Sequence, residues 1–64
     1  MNERWVKHSG EFTYIYDIRR VHNTATLRII APNGDVRKSV SADRDLLDGK
    51  LSETELMAKG YQRT

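Results

Sequence analysis

Arg19, Arg28 and Arg37 are the residues in this chain best suited to chemistry on a partner. A guanidinium binds phosphate bidentately and reads guanine edges, and a twisted two- or three-stranded sheet can enter a major groove. Thr26, Ser39 and Thr13 supply neutral hydrogen-bonding groups between the arginines. Ile15 and Ile30 would form an aliphatic spot beside them, rimmed by Arg28, Arg37 and Asp17. Charge around exposed aliphatic side chains is the anatomy of a small interface. The expected binding set for nucleic acid or a protein partner is Arg19, Arg28, Arg37, Thr26, Ser39, Ile15 and Ile30.

Catalytic chemistry has less to work with. His8 and His22 lie far apart, and neither has a serine, cysteine or paired carboxylate at a spacing that implies a triad or dyad. Asp43, Asp45 and Asp48 lack the glycine and terminal glutamate of a calcium loop. They read as the acidic first half of a solvated helix. The chain has no cysteine, which removes disulfides and thiolate metal sites. With 64 residues there is little room for a pocket of several hundred Å3. No catalytic residue, metal, cofactor or small-molecule substrate is expected, and the chain reads as a non-enzymatic binding module.

The elements that must position the arginines are strands. Residues 12–18 alternate strictly, with Phe12, Tyr14, Tyr16 and Ile18 on one face and Thr13, Ile15 and Asp17 on the other. Asn33-Gly34 is a strong hairpin signal that suits a type I′ turn, and His22-Asn23 is a weaker one. Two-residue loops at both places put Tyr16 opposite Ile29 and Ile18 opposite Leu27. They also put Ile29 opposite Lys38 and Leu27 opposite Val40. In this register Asp17 faces Arg28, Ile15 faces Ile30, and Val36, Lys38 and Val40 join the tyrosines on the core side. Ser9-Gly10 turns a first strand back so that Trp5 meets Tyr14. Strands are expected at about 4–8, 11–21, 24–31 and 35–41.

After Val40 the period changes. Ser41 suits the cap of a short helix over 42–48, with Gly49 as its stop. Ser52 and Glu55 form a capping box, Leu51 and Leu56 a hydrophobic staple, and Gly60 an end, for a helix over 53–59. Leu46, Leu47, Leu56, Met57 and Tyr61 are available to cover the sheet. The expected fold is α+β: an antiparallel β-meander of three to four strands packed on one face by one or two short C-terminal helices. All 64 residues make one small domain. This layout resembles the arm-binding domains of phage integrases, which bind DNA. The resemblance is one of layout, and it carries over no functional residue.

A chain this short buries only about 60% of its unfolded surface, so it needs good packing or self-association. Its net charge is +2. Residues 1–40 hold seven lysines and arginines against four carboxylates, while residues 41–64 hold four against five. That mild basic bias on the strand half falls short of the clustered charge of a strong nucleic-acid binder. No stretch approaches the roughly 20 apolar residues of a membrane span, and a cytoplasmic location is expected. An unprotected strand edge at the N-terminal side would allow a homodimer. The partner is expected to be nucleic acid, first DNA, with an accessory protein-interaction role as the alternative.

Overall fold

Alternating apolar and polar side chains give this chain its strands, and loop chemistry decides how they align. The computed structural model describes residues 2–44 and 52–64. Its elements are β1 (Asn2–Ser9), β2 (Phe12–Arg19), β3 (Thr24–Ile30), β4 (Val36–Asp43), α1 (Glu53–Ala58) and β5 (Gln62–Arg63). The strands form one antiparallel sheet in the order β4-β3-β2-β1-β5. The meander is as expected, but the described residues hold five strands, because the C-terminus folds back onto β1. Thr64 N–H donates to the Arg4 carbonyl at 2.9 Å.

Each of the three hairpin loops differs from its expected form. The β2–β3 loop is the four residues Arg20–Asn23, and only Asn23 takes a left-handed φ, at 54°. His22 and Asn23 donate their N–H groups to the Arg19 and Arg20 carbonyls, both at 3.2 Å. A type I′ pair would need positive φ at His22 as well, which a longer loop avoids. The register therefore slips by two residues. Tyr14 faces Ile29, Tyr16 faces Leu27, Ile18 faces Ala25 and Asp17 faces Thr26.

In the β3–β4 loop Asn33 is not left-handed and Gly34 alone is, at 91°. Gly34 N–H donates to the Ala31 carbonyl at 2.9 Å, and Ala31 N–H donates to Asp35 at 2.8 Å. This is a three-residue loop with Pro32 in the first central position, where its fixed φ fits. It pairs Ile30 with Val36, and a bulge at Arg37 then restores the expected Ile29–Lys38 and Leu27–Val40 pairs. Val36 is thereby turned off the core side and left 55% exposed. The β1–β2 loop is Gly10-Glu11, with Gly10 at φ 59°, so Trp5 faces Tyr16 rather than Tyr14.

The core side is closed by the C-terminal segment. Trp5, Tyr16, Ile18, Ala25, Leu56 and Tyr61 form the buried cluster, with Tyr14 and Leu27 against it. Tyr61 meets Tyr16 edge to face at a centroid distance of 5.6 Å. Met57, expected in the cover, is 57% exposed, and Phe12, expected on the core face of β2, is 39% exposed.

Ser52 caps α1, its Oγ accepting from Glu55 N–H at 3.2 Å. At the other end Tyr61 and Gly60 donate to the Leu56 and Met57 carbonyls at 3.1 and 3.0 Å, with Gly60 at φ 96°. This Schellman arrangement normally carries an apolar contact between the residues that Leu56 and Tyr61 occupy here. One turn thus delivers both side chains to the core.

The helix expected over 42–48 is displaced at its start. Ala42 and Asp43 belong to β4, and Ser41 pairs with Thr26 instead of capping. Residues 45–48 of that span, with Leu46 and Leu47, lie outside the described residues, as do Gly49 and Leu51.

Glu3 ties the β2–β3 loop to β1. Its carboxylate accepts from Arg20 Nε and from the Trp5 indole N–H, the latter at 3.1 Å. The Arg20 hydrogen bond holds the Glu3 carboxyl below its ordinary value of 4.5, against the opposing effect of burial. A depressed carboxyl stabilises the fold above its unfolded pKa, and that contribution disappears as pH falls through the folded value. Asp17 is shifted in the same direction. Thermal melts from neutral pH down to about pH 3 should show falling stability below the ordinary glutamate range. Glu3→Gln should flatten part of that acid limb. A limb identical in wild type and variant would refute the role given to Glu3.

Candidate functional site

The face opposite the core presents four rows of side chains across β1, β2, β3 and β4. In order they are Asn2-Arg19-Thr24-Asp43, Arg4-Asp17-Thr26-Ser41, Val6-Ile15-Arg28-Ser39 and His8-Thr13-Ile30-Val36. Because the register slipped by two residues, parity is kept and every expected site residue of β2 and β3 stays on this outer face. Their neighbours change. Ile15 faces Arg28 and Ile30 faces Thr13, so the two isoleucines are diagonal, not opposed.

Asp17 is the electrostatic centre of the face. It accepts from Arg4 Nε at 2.7 Å and from Arg28 Nη2 at 3.1 Å. The Arg28 contact expected from directly opposed residues is made along the diagonal, which a long side chain spans. Burial of Asp17 favours its neutral form, but the hydrogen bond and charge of Arg4, followed by Arg28, outweigh it and lower its pKa. Asp17 in turn raises the Arg4 pKa. Beside this triad Thr26 and Ser41 hydroxyls lie 2.8 Å apart. Asp17 thus engages Arg28 within the chain, while the triad as a whole keeps an excess positive charge.

Arg19 and Arg37 are exposed, and no ion pair joins either to another described residue. Arg19 ends β2 opposite Thr24, whereas Arg37 is the bulge residue beside Ile29 and Ile30. At about 3.4 Å per residue they stand on the order of 20 Å apart. The three arginines do not converge. Ser39, opposite Arg28, is exposed on the β4 edge.

An open groove of about 760 Å3 occupies the Arg19 end, lined by Arg4, Asp17, Arg19, Thr24, Thr26, Ser41 and Asp43 among others. It is larger than the chain's length suggests, and its charges are mixed. Among the described residues, no group of three histidine, cysteine or acidic side chains could hold a metal ion. No described helix is long and apolar enough to cross a membrane.

The other end of the face is aliphatic. Val6 faces Ile15, Ile30 faces Val36, and the Ile15–Ile30 diagonal joins the two pairs into a patch across four strands. Val6, Ile15 and Ile30 are half-buried by their neighbours, and Val36 is exposed. Sequence reasoning missed Arg4, Val6 and Val36 as members of the site. Alternation along 4–8 carries the signal for the first two, once the Gly10-Glu11 loop sets the β1 register. No family model, no curated protein and no solved structure matches the chain.

Proposed function

We propose that the chain is a non-enzymatic protein-interaction module that docks a protein partner on its outer sheet face. The observation that carries this reading is the patch of Val6, Ile15, Ile30 and Val36, continuous across four strands beside the Arg4–Asp17–Arg28 triad. The aliphatic centre supplies burial, and the triad supplies a polar rim whose charges are already oriented. Nucleic-acid binding is the weaker reading. Arg28 is shared with Asp17, and Arg19 and Arg37 are too far apart to act on one short stretch of backbone. The Arg19 groove also carries Glu3, Asp17 and Asp43.

A photo-crosslinking residue at position 36, introduced in the producing cell, tests the proposal. One discrete protein adduct is expected, lost on Ile15→Asp or Ile30→Asp while the circular dichroism stays native. Adducts indifferent to both variants would refute docking at this patch. A parallel titration with duplex and single-stranded DNA should show no binding at about 50 mM salt. Binding that weakens steeply with salt would instead establish the nucleic-acid reading.

A further inference from the structure

The β4 strand is the one long edge that the described part of the sheet leaves without a neighbour, since β5 occupies the flank of β1. Its backbone polarity follows from two hydrogen bonds at its ends. Ala31 N–H donates to Asp35, and Arg44 N–H donates to Asn23 at 3.0 Å. Odd-numbered residues of the β3 side are therefore turned toward β4, and their partners Lys38, Val40 and Ala42 are turned back toward β3. Ser39, Ser41 and Asp43 are left with N–H and C=O groups aimed outward. Such a row is a template for another strand.

We propose that β4 pairs antiparallel with β4 of a second copy of this chain, about a two-fold axis at Val40. In that register Val40 faces its own counterpart and Ser39 faces Ser41. Arg37 meets Asp43 of the second copy, and by symmetry Asp43 meets its Arg37. Both residues are exposed and carry no ion pair within the described chain. Charge selects this register over its neighbours. Moving the axis to Ser39 leaves Arg37 and Asp43 without opposite charge, and moving it to Ser41 sets Lys38 against Arg44. The bulge at Arg37 and the charge of Lys38 protect the edge against indiscriminate strands. The symmetric register satisfies both charged ends.

Association of this kind also answers the shortage of core in so short a chain. Pairing about a two-fold axis perpendicular to the sheet leaves the outer faces of both copies on the same side of a continuous sheet. The inference does not depend on the docking proposal, because it uses a different surface and is read by the chain's own mass.

Sedimentation of the full chain from micromolar to millimolar concentration provides the test. Wild type should form a dimer, and Arg37→Asp or Asp43→Arg alone should weaken it by about tenfold. The double variant R37D/D43R should recover to within about threefold of wild type. Ser39→Pro removes an outward N–H without touching a β3–β4 bond, and it should give a monomer with native circular dichroism. In wild type, amide exchange at Ser39, Ser41 and Asp43 should slow as concentration rises. A strict monomer at millimolar concentration, or a dimer indifferent to the charge reversals, overturns the proposal. Loss of the dimer on Ile15→Asp but not on Arg37→Asp would place self-association on the outer face instead, and would overturn it too.

Discussion

Trp5→Ala is expected to leave the chain largely unfolded at 25 °C. Trp5 is 1% exposed and packs opposite Tyr16 in a cluster that, among the described residues, has six buried side chains. Truncating a buried aromatic to alanine costs about 3–5 kcal/mol through lost transfer energy and the cavity left behind. A domain of this length has on the order of 3–10 kcal/mol in total. The variant also removes the indole N–H from Glu3, leaving Arg20 to hold that carboxylate. Urea titration followed by circular dichroism measures the effect, since the chain's one tryptophan is gone. Trp5→Phe keeps most of the volume and should cost clearly less. A midpoint for Trp5→Ala within about 1 M of wild type would contradict the assigned core, given urea slopes near 1 kcal/mol/M for small domains.

Leu56→Ala should cost about 2–4 kcal/mol, and its effect should spread along the C-terminal segment. Leu56 is fully buried and is the one buried side chain of α1. A six-residue helix has no stability of its own in water, so its packing holds it in place. The same residue anchors the turn that delivers Tyr61, through its carbonyl and its place in the core. Tyr61 contacts Tyr16 and lies under the Lys7 ammonium, 4.7 Å from its ring centroid, so the segment leaves or stays as a unit. Amide exchange is expected to show the Tyr61 and Thr64 N–H groups losing protection together, ahead of those in β2 and β3. Protection retained at Thr64 in Leu56→Ala would show that β5 is held independently of α1.

Several site features were legible because they depend only on residue parity. Ile15, Asp17, Arg19, Thr26, Arg28 and Ile30 were expected on one face, and they occupy it even though the β2–β3 register is two residues away from its expected setting. A two-residue slip preserves faces, whereas a one-residue slip would have inverted them. What parity cannot supply is the identity of neighbours. Asp17 was expected to face Arg28 and instead faces Thr26, with Arg4 completing a triad that draws on three strands. Val36 was expected inside, and the bulge at Arg37 put it outside. Both outcomes turn on loop conformations that His22-Asn23 and Asn33-Gly34 leave open, since Pro32 and Arg20 each belong to the loop actually formed.

Local chemistry was sufficient for the strand pattern, the inward tyrosines, the Ser52 cap and the Gly60 stop, because each rests on contacts within a few residues. The fifth strand and the partners of Asp17 were decided elsewhere. Gln62-Arg63 is too short to show a strand period, and it becomes one only because Leu56 and Tyr61 dock on the sheet and carry the chain end alongside β1. That placement puts a neighbour on the β1 flank and leaves β4, among the described residues, as the edge without one. Arg19, Arg28 and Arg37, expected together on one platform, became one arginine sharing Asp17 with Arg4 and two separated cations once the strands were set side by side.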